Sequence, residues 1–235
     1  MRRRDLTALL LLPVLATACA PPPLAPTANL PPPGTESAQP AFPRSGAKWR
    51  VRVTESRLFG TTVEEHDIQA TPTVFQNRPA LGLTGPRATT ALDPASFNPV
   101  GAHTNGVTTA TLSPAEGPLV WPLWVGKVWA HTYAASDLVY GQVWPAARAT
   151  GQVAAMETVT VRAGVFRAYR IEYKAGLGTG TLAARDRDAV LGIETVETHW
   201  YAPAVKLVVK SIVRRAPVHH LGVGTTTTEL VRPPA

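Results

Sequence analysis

The stretch 157–174, ETVTVRAGVFRAYRIEYK, decides the fold. Glu157-Thr158-Val159-Thr160-Val161 alternates polar and apolar side chains, passes through Ala163-Gly164, and resumes in Val165-Phe166-Arg167-Ala168-Tyr169. A period of two belongs to a strand, whose successive side chains point to opposite faces. Gly164 is placed where a tight hairpin turn needs positive φ, which a residue without a Cβ adopts at no steric cost. Further along, Tyr169, Ile171 and Tyr173 alternate with Arg170, Glu172 and Lys174. One face is apolar and the other charged, so the hairpin is half-buried.

The same period extends outward in both directions. In Lys48-Trp49-Arg50-Val51-Arg52-Val53-Thr54, Trp49, Val51 and Val53 share a face, and Leu207, Val209 and Val213 lie opposite Lys206, Lys210 and Arg214. His199-Trp200-Tyr201 leads through Ala202-Pro203-Ala204 into Val205-Lys206-Leu207-Val208, a second hairpin with proline in its turn. Apolar spacing at i, i+3, i+4 and i+7 is sustained nowhere over three turns, and only Ala146–Ala155 is compatible with a short helix. Residues 70–120 are punctuated by Pro72, Pro79, Pro86, Pro94, Pro99, Pro114 and Pro118, so short strands alone are expected there. Gly46-Ala47-Lys48-Trp49 is echoed by Gly126-Lys127-Val128-Trp129, the pattern of two related β-halves divided near Gly117. The expected fold is all-β: an antiparallel curved sheet, sandwich or partly open barrel, preceded by a signal peptide and a proline-rich disordered tether.

The N-terminus reads as an export leader. Arg2-Arg3-Arg4 is a positive n-region, and Leu6 to Ala16 is an apolar run broken by Thr7 and Pro13. That run falls within the roughly 7–15 residues of a signal h-region and short of the about 20 that span a bilayer. Leu15-Ala16-Thr17-Ala18-Cys19 resembles the lipobox of bacterial lipoproteins, in which small residues precede a cysteine that is lipidated and becomes residue one. Ala16 stands where leucine is commoner. Cys19 is the only cysteine and cannot form an internal disulfide. An ordinary secretory peptide is the alternative, and Arg3-Arg4-Asp5-Leu6 also resembles the start of a twin-arginine signal. The lipobox resemblance implies that residues 1–18 are removed and that acyl chains on Cys19 hold the chain to a membrane, two or more chains anchoring stably. With Ala20 after the cysteine, it also implies the periplasmic face of the outer membrane of a bacterial cell envelope.

Residues 19–43 form a lipid-anchored, proline-rich linker, with Pro21-Pro22-Pro23, Pro26, Pro31-Pro32-Pro33, Pro40 and Pro43. Proline lacks the N–H that a sheet needs, so this stretch serves as a spacer of roughly 70 Å in polyproline II. Residues 44–235 remain for one β-rich domain. Their setting is a chain with 45% hydrophobic and 17% charged residues, too apolar for a disordered protein. The formal charge of +7 falls to +5 once Arg2, Arg3, Arg4 and Asp5 leave with the leader. The remaining positive residues are spread from Lys48 to Lys210, which argues against a nucleic-acid partner.

Three segments carry a family resemblance. They are Pro122-Leu123-Trp124-Val125-Gly126-Lys127-Val128-Trp129, Val159-Thr160-Val161-Arg162-Ala163-Gly164-Val165-Phe166-Arg167-Ala168 and Glu197-Thr198-His199-Trp200-Tyr201-Ala202-Pro203-Ala204-Val205-Lys206. Together, over residues 118–232, they resemble the TapB-like domain of unknown function of bacterial envelope proteins. Arg162 stands where that family usually has proline. The resemblance implies an exported all-β domain and brings no catalytic residues.

The residues themselves show little chemistry. The chain has no Gly-x-Ser-x-Gly elbow, P-loop or His-Glu-x-x-His motif. His219-His220 would point to opposite faces of a strand, and Asp186-Arg187-Asp188 begins like a calcium loop but meets Val190 at the next ligand position. Gly176-Leu177-Gly178-Thr179-Gly180 follows a strand without an evident helix to hold a phosphate. Glu172, Glu194, Glu197 and Asp137 are the carboxylates available for an acid and base pair, which needs a separation of roughly 5–9 Å that hairpin spacing does not establish. No catalytic residue, metal ligand or cofactor is expected. The aromatic group Trp121, Trp124, Trp129, Tyr133, Tyr140 and Trp144 is the candidate contact for an envelope protein, glycan or lipid ligand, with core packing as the alternative. The function expected is that of a non-enzymatic, lipid-anchored binding or structural module of the envelope. A periplasmic carrier or sensor of lipid-like ligands is the alternative, and a hydrolase comes third.

Overall fold

A computed structural model describes residues 30–139, 141–176, 181–182, 194–215 and 224–235. Alternating sequence becomes strand throughout: β1 (Lys48–Arg57), β2 (Gly60–Phe75), β3 (Arg78–Thr84), β4 (Thr89–Leu92), β5 (Pro99–Thr104), β6 (Val107–Ser113) and β7 (Val128–Asp137). They are followed by β8 (Gln142–Val161), β9 (Gly164–Gly176), β10 (Thr181–Leu182), β11 (Glu194–Ala202), β12 (Leu207–Arg215) and β13 (Gly224–Arg232). No helix occurs among the described residues. Apart from β10, which pairs only with the start of β8, each strand lies antiparallel to its chain neighbours, and β13 pairs with β1. The result is a closed up-and-down barrel of twelve strands, which excludes the sandwich and leaves no edge at the first and last strands.

The inward face is the one the alternation marks. Tyr169, Ile171 and Tyr173 are buried while Arg170, Glu172 and Lys174 face out. Two irregular segments, 36–43 and 114–127, pack against the inner wall, so residues 36–43, expected to belong to the disordered tether, join the core instead. Ala38 and Leu123 exchange backbone hydrogen bonds of 2.8 and 2.9 Å, and with Leu119 they pack on Val153, Tyr169, Ile171 and Tyr201. Tyr201 donates its hydroxyl to the Ala41 carbonyl at 2.8 Å. On the outside, Arg50 pairs with Asp67 at 2.7 Å and Arg52 with Glu65 at 3.6 Å, so this part of the wall faces water. Such exposed pairs contribute little to stability.

The hairpins form at the residues the sequence marks. The β8–β9 turn is Arg162-Ala163 with Gly164 at φ +130°, and the β11–β12 turn contains Pro203 and places Lys206 at φ +57°. The short helix expected over Ala146–Ala155 is instead the middle of β8. Helix propensity favours alanine, but here Ala147, Ala149 and Val153 are buried at strand period, and β7 and β9 satisfy the backbone on both sides. In the proline-rich region, β3 to β6 are four to seven residues long, whereas β2 runs 16 residues straight through Pro72.

The two Gly-x-x-Trp segments form the same turn. Gly46 (φ +89°) donates to Ala70 O while Ala70 donates to Ala47 O, and Gly126 (φ +93°) donates to Val153 O while Val153 donates to Lys127 O. Each turn launches a six-strand meander, β1–β6 and then β7–β13 without β10. One difference matters for function. β1 is paired along nearly its whole length on both sides, whereas β6 ends at Ser113, before Pro114, and pairs with β7 only over Ala134–Asp137. Val128–Tyr133 therefore has β8 on one side and, among the described residues, no strand on the other.

Candidate functional site

A groove of about 1030 Å³ runs along this open edge of β7. Trp121, Trp129 and Tyr133 line it with His131, Arg148 and Ser96, between the strand and the loops 95–98 and 113–121. The loop wall is fixed from behind. Lys127 is buried, and its ammonium donates to Val120 O at 2.8 Å and Pro122 O at 2.9 Å while lying 4.5 Å from the Trp124 ring. Loss of hydration lowers its pKa to about 8. Asn98, also buried, exchanges hydrogen bonds with the Leu119 backbone at 2.9 and 3.0 Å, and the Trp121 indole donates to Ser96 O at 2.8 Å.

The open edge also supplies polar atoms. Val153 donates to Lys127 O, and the β7–β8 register continues through Trp129↔Gly151 and His131↔Ala149. Antiparallel pairing alternates, so these odd-numbered residues direct their N–H and C=O to β8. Val128, Ala130 and Thr132 direct theirs into the gap. Gly151 completes the arrangement, because a Cβ there would lie 2.3 Å from the Trp129 ring. The indole N–H groups of Trp129 and Trp144 are buried without a partner among the described residues, Trp129 against Gly151.

Behind Tyr133 lies a smaller cavity of about 280 Å³, lined by Glu116, Asp137, Trp144, Thr195 and Glu197. Tyr133 lines both spaces. Tyr173 donates its hydroxyl to Glu116 in a short hydrogen bond, and its oxygen lies 3.4 Å from His131 Nε2. Burial raises the Glu116 pKa to about 7, against the lowering effect of the Tyr173 bond and with a smaller raising contribution from Glu197. Burial lowers the pKa of His131 and raises those of Tyr133 and Tyr173. On β11, Glu197 accepts from Thr195 at 3.1 Å and pairs with His199 at 2.8 Å.

The six aromatic residues singled out in the sequence do not form one surface. Trp121, Trp129 and Tyr133 meet at the groove, Trp144 faces the inner cavity, and Trp124 is buried against Lys127. Tyr140 lies outside the described residues, as do Cys19, Asp186-Arg187-Asp188 and His219-His220. Of the four carboxylates considered, Glu197 and Asp137 line the inner cavity. Glu172 instead accepts from Arg170 and Gln152, and Glu194 pairs with Lys174 at 2.9 Å. Sequence reasoning missed Glu116 and His131. His131 alternates with Trp129 and Tyr133 and was there to be found; Glu116 sits in an irregular loop that no pattern marks. No group of three or more metal-ligating side chains occurs among the described residues.

The chain is similar in fold to three solved structures. A candidate lipoprotein from Parabacteroides distasonis matches with a TM-score of 0.41 at 12% identity, over 84% of this chain and 99% of that one. The hypothetical lipoprotein YmcC from Escherichia coli matches with a TM-score of 0.36 at 13% identity, over 79% and 84%. A candidate exported protein with a YmcC-like fold from Bacteroides fragilis matches with a TM-score of 0.37 at 10% identity, over 83% and 98%. At such identities and scores the likeness carries no function to this chain. No protein-family model and no curated protein matches it, so the TapB-like resemblance stays with the residues quoted for it.

Proposed function

We propose that the chain is a lipid-anchored, non-catalytic protein of the bacterial envelope that holds a glycan segment in the groove along β7. The anchor rests on the lipobox-like Leu15–Cys19 and the tether behind it. The single observation that carries the binding reading is the groove itself: about 1030 Å³, with aromatic rings beside a strand edge that no other described strand pairs. Sugar rings present C–H faces that stack on aromatic side chains and hydroxyls that need donors and acceptors. Trp121, Trp129 and Tyr133 supply the first, and the exposed rungs of Val128, Ala130 and Thr132 with Arg148 supply the second. The lipid-carrier reading has less support, because Leu119, Leu123 and their neighbours occupy the lumen where an acyl chain would lie. Titration of the purified chain with fragments of envelope polysaccharide and peptidoglycan, followed by indole fluorescence, tests the proposal. Saturable binding lost in Trp129→Ala is expected; no response to either class contradicts it.

A second reading, hydrolysis of the same ligand, is favoured by one observation: Glu116, half-protonated near neutral pH, shares its cavity with Glu197 and Asp137. Tyr133 stands between that cavity and the groove, and Glu197 is engaged by Thr195 and His199, which supports binding over cleavage. Release of new reducing ends, lost in Glu116→Gln, would establish hydrolysis in place of simple binding.

A further inference from the structure

Successive strands alternate in direction, so the β1–β2, β5–β6 and β7–β8 turns all lie at one end of the barrel, opposite the segment 36–47 and the C-terminal residues that bond to Lys48. That end carries exposed apolar side chains among the described residues. The β1–β2 turn is Leu58-Phe59 alone, between the paired residues Arg57 and Gly60, and the two side chains are 82% and 97% exposed. Leu138 and Val139 in the β7–β8 turn and Val107 beside the β5–β6 turn are also exposed. Arginines gather on one side of the tip, while Asp137 and Glu194 stand at the same end on β7 and β11. Arg57 and Arg215 lie in one row across β1, β13 and β12, through Gly224, and Arg214 lies in the next row. Glu55 is held by Arg57 at 2.9 Å, and Lys174 and Glu194 offset each other.

We propose that this end docks on a bilayer containing anionic lipid, with Leu58 and Phe59 entering the interfacial region and Arg57, Arg214 and Arg215 meeting phosphates. A protein partner fits the shape less well, because a stable interface covers about 800 Å² on each side and a two-residue convex tip offers a fraction of that. Apolar side chains leaving a turn, with cations behind them, match instead the boundary between headgroups and acyl chains. The inference rests on the anchored reading only for bringing a bilayer within reach. The 17 residue-to-residue steps from Cys19 to Glu36 have a contour of up to about 58 Å, against about 33 Å for β1, so anchorage near the far end does not hold the tip away.

The test uses the chain from residue 19 onward carrying Cys19→Ser, so that no acyl chain contributes and the outcome is independent of both the anchor and the groove. Sedimentation with vesicles of phosphatidylcholine containing about one third phosphatidylglycerol should show binding, weakened roughly thirtyfold or more by Leu58→Ser/Phe59→Ser. Pure phosphatidylcholine, or Arg214→Gln/Arg215→Gln on the mixed vesicles, should weaken it by about tenfold. Phe59→Trp should add a blue-shifted indole signal that brominated lipid quenches. No binding to mixed vesicles, equal binding by the serine variant, or a solution dimer that the serine variant abolishes would each overturn the proposal.

Discussion

β1 and β7 begin with the same glycine turn and end in different environments. Trp49, two residues into its strand-entry sequence, is only 4% exposed and packs with Ala70, Val209 and Leu230, and Ala47 occupies the position after the glycine. In β7 that position is Lys127, which clamps the loop carrying Val120 and Pro122, and Trp129 lies over Gly151 at the groove. One copy closes the barrel wall and the other holds it open. Pro114 accounts for much of the difference: it ends β6 early, so the flank of Val128–Tyr133 is never covered. A repeated scaffold thus acquires a site where a neighbour is shortened, without a new fold.

Truncating the two tryptophans in turn should separate the closed wall from the groove most strongly. Trp49→Ala should destabilise the protein by about 3–5 kcal/mol in urea unfolding. Trp129→Ala should cost well under half of that while abolishing ligand binding. Next comes Glu116. Its folded pKa of about 7 exceeds the ordinary carboxyl value of 4.5, so its contribution is fully present below about pH 4.5 and is lost as pH rises through 7. Wild-type stability should therefore fall by up to about 3 kcal/mol between pH 4.5 and 8, and Glu116→Gln should flatten that slope in unfolding measured across the range. Lys127→Met removes two hydrogen bonds and leaves two carbonyls unpaired, an expected loss of about 2–3 kcal/mol accompanied by weaker binding. The smallest effect should be the most symmetric. Gly46→Ala and Gly126→Ala meet no neighbouring atoms, so each should cost only the backbone penalty of about 1–2 kcal/mol, equal in the two copies.

The strands were legible in the sequence because their period of two is local. Val159, Tyr169, Ile171 and Leu207 each announce a buried face, and Gly164, Pro203 and Gly126 mark turns by their own backbone chemistry. Ala146–Ala155 misled because alanine carries no strong period, and its conformation is set by β7 and β9 on either side. The prolines at 114 and 118 announced short strands, but not that the cost would fall on the flank of β7. The acid cluster was least legible. Glu116 depends on Tyr173, 57 residues away, and Glu197 reaches it only because β11 pairs with β9 in the register Glu197↔Tyr173.

The open flank of β7 is tested most directly by residue-resolved amide hydrogen exchange, with and without envelope glycan. Without ligand, the amides of Val128, Ala130 and Thr132 should exchange orders of magnitude faster than those of Val51 to Thr54 in β1, and glycan should slow them selectively. Equal protection of the two strands before ligand is added, or no change at these three residues when it is, would contradict the account.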